Sequence, residues 1–210
     1  MLNKENDKQI IALLGLATTG KDYNSKPFIN IGFKKIAFAD SLRNVLWGIL
    51  GYTPDGDNIS YNDFKKCEFK VKKSLFKTES ITTVRKMLQN TGSVFKELFG
   101  QNYWTNRWVK DVLESGYDRI VVTDTRFDYE IKKIISLKKK GYKVNFIWCQ
   151  YEGADYDKLL SDNHESEALA QFMYKNRELY GLYDACTINE INMLKILKDF
   201  NKHNNKKENE

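Results

Sequence analysis

The segment that most constrains the fold is "QIIALLGLATTGKDYNSK", which runs from Gln9 to Lys26. A continuously apolar run ends at Gly15, and a Gly-Lys pair follows at Gly20 and Lys21. Short apolar runs of this kind are typical of strands in a parallel sheet, because helices cover both faces of such a sheet. The segment therefore predicts a central parallel strand, a glycine-containing turn and a helix that Pro27 shortens.

The rest of the chain alternates between strand-like and helix-like segments. Further strands are predicted in "FKKIAFAD", "DRIVVTDTRF", "YKVNFIWCQ" and "YDACTINE". Helices are predicted in "DSLRNVLWGILGY", "SITTVRKMLQNTGSVFKELFG", "YWTNRWVKDVLESG", "DYEIKKIISLKKKG", "HESEALAQFMYKNREL" and "INMLKILKDFNK". This alternation predicts an α/β fold, with a mostly parallel central sheet and right-handed crossovers.

Two of the predicted helices carry more detailed expectations. In the first, Leu42, Val45, Leu46 and Ile49 share one face that we expect to be buried, and Asp40 is available as the cap. In the second, Gly92 marks a break.

The length of 210 residues suits a single domain, here residues 1–200, followed by a disordered polar tail at 201–210. Residues 53–80 are rich in turn formers and lysines, which indicates an insertion or a mobile region over the site. No apolar run approaches the roughly 20 residues of a membrane helix, and the N-terminus lacks the pattern of a secretory signal. We therefore expect no membrane partner and a cytoplasmic location.

Composition argues against a metal or disulfide scaffold. Cys67, Cys149 and Cys186 are far apart, and their odd number and the absence of a CxxC pair speak against a disulfide framework and a zinc site. The net charge of +6 comes mostly from scattered lysines. Such lysines are typical of a solvated surface, which argues against a nucleic-acid partner. Polyanionic phosphate substrates would also suit a basic protein.

The motif GxxxxGK appears at Gly15–Lys21, directly after the predicted strand, which is the context that a phosphate-binding loop requires. In such a loop the backbone amides bind phosphate, the start of the next helix adds a positive end, and the lysine reaches the β- and γ-phosphates. The candidate ATP-binding residues are therefore the following: Gly15, Thr18, Thr19, Gly20, Lys21 and Asp22.

Asp22 stands where a serine or threonine normally ligates Mg²⁺. A carboxylate beside triphosphate oxygens is repelled unless a cation lies between them. Asp22 therefore indicates either a metal ion or its water shell at this position, or a helix N-cap with the metal held elsewhere.

The order of motifs along the chain resembles the phage-type deoxynucleoside monophosphate kinases. The matching segments are the GKD ending of the loop, "GFKKIAFADSLR", "VRKMLQNTGSVFKELFGQNYW", "IVVTDTRFDYE" and "HESE". They run in order from about Ile10 to Asn189, and the Asp-x-Arg-Phe-x-x-Glu block is the most specific of them. In this family Asp22 is expected, although Tyr23 replaces the threonine that usually follows.

The resemblance implies a P-loop kinase with a three-layer fold, a helical acceptor-binding region at about 53–115 and a lid at about 151–167. It implies transfer of phosphate from ATP, with Mg²⁺, to a deoxynucleoside 5′-monophosphate, a reaction that depends on positioning and charge neutralisation. Some family members form dimers, so a homodimer is one expectation. The implied catalytic residues are Lys21, Asp124 and Arg126. The implied substrate-binding residues are Asp40, Arg43, Arg85, Gln89, Trp104, Asp124, Arg126 and Glu130.

The residues themselves leave alternatives open. Arg43 could cap its helix, Arg126 could pair with Glu130, and Trp104 could be core packing rather than a stacking partner for the nucleobase. His164 and Glu167, spaced i and i+3, suit the ordering of a lid better than metal binding.

Two departures from the family pattern affect function. The lid segment contains no arginine, so its positive charge must come from Lys158 or from Arg177 on the following helix. The missing hydroxyl after Lys21 leaves Mg²⁺ ligation unassigned. Two other functions therefore stay open: a kinase of another phosphorylated acceptor, similar to phosphomevalonate kinase, and a nucleotide- or nucleic-acid-binding protein without catalysis.

Overall fold

The computed structural model of the protein describes residues 8–16, 18–51, 64, 66–73, 78–150, 153–161, 171–172, 183–185 and 196. The strands are β1 (Gln9–Leu14), β2 (Lys34–Lys35), β3 (Glu68–Lys73), β4 (Thr78–Thr83), β5 (Arg119–Val122), β6 (Lys143–Cys149) and β7 (Tyr183–Ala185). The α-helices are α1 (Lys21–Asn30), α2 (Asp40–Leu50), α3 (Val84–Phe99), α4 (Tyr103–Glu114), α5 (Asp128–Ser136) and α6 (Tyr156–Ser161). A 3₁₀-helix at Leu137–Lys140 continues α5.

The chain divides into two compact units. The first comprises Met1–Phe38 and Trp108–Glu210, and the second comprises Ala39–Arg107. The first unit contains a five-stranded sheet in the order β2-β5-β1-β6-β7, and every neighbouring pair in it is parallel. The predicted α/β fold with a parallel central sheet is therefore confirmed.

Alternate residues of β1 enter two different apolar clusters, because successive side chains of a strand point to opposite faces. Ile10 and Ala12 pack with Trp108 of α4 and Ile134 of α5, among others. Ile11 and Leu13 belong to the cluster that contains Phe28 of α1. Helices thus cover both faces of the sheet, which explains why β1 is apolar from Ile10 to Leu14.

The carboxyl ends of β1 and β5 meet at a point where the connections of the sheet diverge. From β1 the chain runs through α1 to β2 on one side, whereas from β5 it runs through α5 to β6 on the other. Open α/β sheets bind ligands in the crevice at such a switch point. The loops that follow Leu14 and Val122 are therefore the candidate ligand-binding loops of the sheet.

The second unit has its own core and a small antiparallel sheet of β3 and β4. One cluster of buried apolar side chains in this unit joins α2, α3 and the segment between them: Leu46, Trp47, Phe64 and Val84. A β-carbon placed on Gly92 of α3 would lie 3.3 Å from Leu42 Cδ2, so the glycine permits close packing against α2.

Several expectations for this unit were wrong. Of the predicted face of α2, Leu46 is buried as expected, but Val45 and Ile49 are exposed and Trp47 is buried instead. Asp40 does not cap α2, since the cap position belongs to Ala39.

The second predicted helix of this unit also differs from the structure. Helix α3 continues through Gly92 without a break, and the glycine allows Leu42 of α2 to pack closely against it. The segment "SITT" before α3 forms the end of strand β4, and the Thr83 hydroxyl accepts a hydrogen bond from the Lys86 amide as the N-cap of the helix.

The other predicted strands are confirmed, although β2 is only two residues long. The helices predicted at 103–116 and 128–141 are also present. Most of the predicted insertion at 53–80, most of the lid, the last two helices and the tail lie outside the described residues. The acceptor-binding role of 53–115 stays a prediction. No helix among the described residues has the length and apolarity to cross a membrane.

Candidate functional site

The loop between β1 and α1 is folded tightly on itself. Gly15 and Gly20 have φ angles of 146° and 82°, which L side chains rarely adopt, and Thr18 has a φ of 63°. A β-carbon on Gly15 would stand 2.6 Å from Thr19 Oγ1 and 2.7 Å from the carbonyl oxygen of Cys149. The buried Thr19 hydroxyl donates to the Leu16 carbonyl at 2.9 Å. The glycine at position 15 is thus a requirement of the loop.

Lys21 folds its side chain back over this loop. Its ammonium donates hydrogen bonds to the carbonyl oxygens of Gly15 at 2.8 Å and Leu16 at 2.7 Å. The cap of α1 is Gly20, which offers no side-chain acceptor to the first helical amides. A positive ammonium and a helix start without a side-chain cap together favour an anion.

Asp22 makes two contacts through one carboxylate oxygen. Oδ1 is 2.5 Å from the Lys35 ammonium and accepts a hydrogen bond from the Thr123 hydroxyl at 2.9 Å. The side chain is nevertheless 77% exposed. Because Gly20 occupies the N-cap, the N-cap interpretation of Asp22 was wrong.

The loop after β5 brings further polar groups to the same edge of the sheet. The Thr123 side chain is buried, and Asp124 Oδ1 accepts a hydrogen bond from the Phe38 amide at 2.9 Å. The Thr125 hydroxyl is buried without a hydrogen-bond partner. Asp124 is therefore fixed at the carboxyl end of a central strand, next to the residue that contacts Asp22.

Glu130 organises the start of α5. Its Oε2 accepts hydrogen bonds from the amides of Arg126 at 2.6 Å and Phe127 at 3.0 Å, and its side chain is buried. Arg126 itself is exposed. The bonds to Glu130 thus come from backbone amides that would otherwise lack helical partners, and contact between Glu130 and a substrate stays a prediction.

Cys149 is the last residue of β6, and it lies against the loop between β1 and α1. Burial raises the pKa of its thiol to about 11, and a hydrogen bond with Asn24 and the charge of Lys21 oppose that rise. The thiol is therefore neutral at ordinary pH, which is typical of an inert, structural cysteine rather than a nucleophile.

The second unit contains the other predicted acceptor residues. Asp40 Oδ1 pairs with the Arg43 guanidinium at 2.7 Å, and Arg85 and Gln89 are both exposed on α3. Trp104 is buried, and its indole Nε1 donates to the Gly92 carbonyl at 3.1 Å. Its ring also lies against Phe95, with centroids 5.1 Å apart.

The contacts of Trp104 and Arg43 can be compared with the alternative roles that the sequence left open for them. Those of Trp104 agree with core packing, and stacking on a nucleobase stays a prediction. Arg43 pairs with Asp40 within α2 and does not cap the helix, since Ala39 occupies the cap position without a side-chain hydrogen bond. Binding of an acceptor phosphate by Arg43 stays a prediction.

The structure thus brings Gly15, Thr19, Lys21 and Asp22 to the edge of the sheet where Asp124 lies. Sequence reasoning missed Lys35 and Thr123, which both contact Asp22. Lys158 is exposed on α6, where its amide donates to Asp155 Oδ1. His164, Glu167 and Arg177 lie outside the described residues, as does Cys186.

No group of three or more His, Cys, Asp or Glu side chains suited to a metal ion occurs in the part of the chain that the structure describes. A divalent ion held here would therefore need oxygens from a bound phosphate in addition to those of the protein. Comparison with models of known protein families gives no match, and no curated protein is found to be similar to the chain. Fold and site together define an α/β protein with an all-parallel central sheet and a polar, lysine-containing loop at its switch point.

Proposed function

We propose that the protein phosphorylates deoxynucleoside 5′-monophosphates with ATP as the phosphate donor. The observation that carries the proposal is the position of Lys21. Its ammonium bonds to the carbonyls of its own glycine loop, at the carboxyl end of β1 and beside the loop that holds Asp124. A lysine in this position is suited to the β- and γ-phosphates of a nucleotide.

The donor half of the reaction falls to the first unit. The loop amides from Gly15 to Gly20 and the start of α1 would bind the phosphates of ATP, and Lys21 would leave the loop carbonyls for the phosphate oxygens. Mg²⁺ bound with ATP would neutralise negative charge on the phosphates. Asp22 and Asp124 are the carboxylates that fit it, and the Lys35 ammonium already bound to Asp22 indicates that a cation suits this oxygen.

Arg126 would stabilise the phosphoryl group during transfer. It is exposed, and Glu130 fixes its backbone, so its side chain extends from a well-defined position at the start of α5. A guanidinium can bind two phosphate oxygens at once, which a lysine cannot do.

Acceptor binding is assigned by the family resemblance to residues of the second unit. Arg43 and Arg85 would bind the phosphate of the monophosphate, and Gln89 would contact its sugar or base. Because Arg85 and Gln89 lie one turn apart on α3 and are both exposed, a single ligand can contact both.

The test is a coupled assay of ADP formation from ATP and Mg²⁺. The acceptors are dTMP, dGMP, dCMP, dAMP and mevalonate 5-phosphate, each offered separately. We expect turnover with one or more deoxynucleotides and its loss in Lys21→Met. Lys132→Met is the matched control, because Lys132 is exposed and pairs with Asp128 on α5.

Other outcomes identify the alternatives. Turnover with mevalonate 5-phosphate alone would assign the protein to another class of kinase. Tight ATP binding without turnover of any acceptor would indicate a nucleotide-binding protein, and steeply salt-dependent DNA binding would indicate a nucleic-acid-binding one.

A further inference from the structure

Asp22, Lys35 and Thr123 form a three-residue contact that none of the predicted roles explains. Lys35 is the last residue of β2 and pairs with Val121 in the register of β5. Thr123 follows β5 by one residue. Both side chains therefore reach Asp22 from the carboxyl ends of adjacent parallel strands, and they converge on the same oxygen, Oδ1.

The contact brings a hydroxyl group close to the loop, at a point where the loop itself has none. A phosphate loop normally offers a hydroxyl directly after its lysine, and here Asp22 stands in that place. The fold brings the Thr123 hydroxyl to within 2.9 Å of the Asp22 carboxylate from a strand that is distant in sequence. A carboxylate is the protein oxygen donor that Mg²⁺ usually takes, together with phosphate oxygens and water.

Lys35 occupies a carboxylate oxygen of Asp22 to which a metal ion could bind. Its ammonium lies 2.5 Å from Oδ1, so a second cation cannot bind that oxygen without displacing it. The lysine is partly exposed and the aspartate largely so, and ion pairs of this kind are weak and readily exchanged. A doubly charged ion that phosphate oxygens also hold is a stronger partner for the carboxylate.

We propose that Lys35 is a stand-in cation, which neutralises Asp22 in the metal-free protein and releases it to Mg²⁺ when the magnesium–nucleotide complex binds. Lys35 and the metal thus compete for one carboxylate. The Thr123 hydroxyl orients that carboxylate in both states, so Thr123 is a positioning residue. This inference rests on the proposed function, because it concerns the metal site of the same phosphate loop.

The experiment measures Mn²⁺ binding by electron paramagnetic resonance, with the protein saturated by a non-hydrolysable ATP analogue. In Lys35→Met, which keeps the aliphatic stem, we expect Mn²⁺ to bind about two- to fivefold more tightly, as loss of a weak competing ion pair predicts. Lys34→Met is the matched control, since Lys34 precedes it in β2 and lies over the Tyr117 ring. Lys35→Arg keeps the charge and should bind Mn²⁺ as the wild type does.

Two further variants test the other members of the contact. Asp22→Asn and Thr123→Val should both weaken Mn²⁺ binding, the first more than the second. Thermal unfolding of each variant shows whether it is folded, and Lys35→Gln replaces Lys35→Met if the latter is not.

The outcomes separate this inference from the proposed function. Unchanged or weaker Mn²⁺ binding in folded Lys35→Met, with the analogue still bound, would overturn the role of Lys35 and leave the kinase proposal intact. Failure of the wild type to bind the analogue, or equal binding by Lys21→Met, would overturn the proposed function and this inference with it.

Discussion

Gly15 lies directly against the backbone of Cys149: a β-carbon at Gly15 would stand 2.7 Å from the Cys149 carbonyl oxygen. The same atom would also meet the Thr19 hydroxyl at 2.6 Å. The loop after β1 is therefore packed against the end of β6, its partner strand. The path of the loop depends on the absence of a side chain at this one position.

Gly15→Ala is expected to lower the free energy of unfolding by about 2–4 kcal/mol, through backbone strain and overpacking together. Because the clash distorts the loop, the affinity for ATP should fall as well. Urea denaturation and calorimetric titration with ATP measure the two effects.

Gly141→Ala is the control for Gly15→Ala. Gly141 also has a positive φ, but nothing lies within 4 Å of the β-carbon position. Only backbone strain of about 1–2 kcal/mol is expected there. Equal losses in the two variants would show that the contact with Cys149 has no effect.

Two substitutions can separate the structural role of Asp124 from its chemical role. Asp124→Asn keeps an oxygen that can accept the Phe38 amide, so its stability should stay within about 1 kcal/mol of the wild type. Asp124→Ala loses that bond and should be about 1–2 kcal/mol less stable. If Asp124 acts through its charge, both variants should lose roughly 100-fold or more in ADP formation. Full activity in Asp124→Asn would exclude a role for the charge.

The sheet could be predicted from sequence because its strands carry local signals. β1 and β5 are apolar after their first residue, and β6 is apolar except at Lys143 and Asn145, in keeping with burial on both faces of the sheet. The hairpin strand β4 was missed because "SITT" adjoins a strong helical pattern. Its β-branched residues were the available signal for a strand.

The buried face of α2 was predicted only in part, because Leu46 is buried whereas Val45 and Ile49 are not. Apolar residues occupy more than one side of this helix, and periodicity alone does not say which side packs. Val45 and Ile49 continue the predicted face, yet Trp47 is buried instead, where its ring meets Phe64 with centroids 5.3 Å apart. Tertiary contacts from a distant segment therefore decided the outcome.

The candidate site was predictable only where a motif defines it. The glycine loop and Lys21 follow from spacing within one segment. The contacts of Asp22, in contrast, join residues 13 and 101 positions apart, and the bond from Phe38 to Asp124 spans 86 positions. Such pairs form only when their strands become neighbours in the sheet. A local sequence pattern does not indicate which strands will be neighbours.

Glu130 is expected to stabilise the start of α5 and the backbone of Arg126. Glu130→Ala removes the acceptor of two amides and should lower the free energy of unfolding by about 1–3 kcal/mol. Glu130→Gln keeps a carbonyl oxygen and should lose less. Hydrogen exchange of the Arg126 and Phe127 amides should accelerate in the alanine variant.

Glu114→Ala is the surface control for Glu130. Glu114 is exposed and pairs with Lys110 at 3.7 Å, so its loss should change stability by no more than about 0.5 kcal/mol. Unchanged exchange of the two amides in Glu130→Ala would mean that the carboxylate does not hold them in solution.

The buried thiol of Cys149 is expected to make the folded protein less stable at alkaline pH. Burial raises the pKa of the folded thiol from 9.0 to about 11, so between these values the unfolded chain releases a proton that the folded protein retains. The unfolded state is thereby favoured as pH rises. The contribution of the neutral thiol is complete below pH 9 and falls by about 2–3 kcal/mol by pH 11.

Comparison of the wild type with Cys149→Ala isolates this effect, because the lysines and tyrosines that also titrate in this range are common to both. The variant leaves a small cavity and should be less stable at pH 8. The difference in the free energy of unfolding should then narrow from pH 9 to pH 11, as urea denaturation at each pH would measure. A constant difference would mean that the thiol titrates alike in the folded and unfolded states and is therefore not shielded beneath the loop.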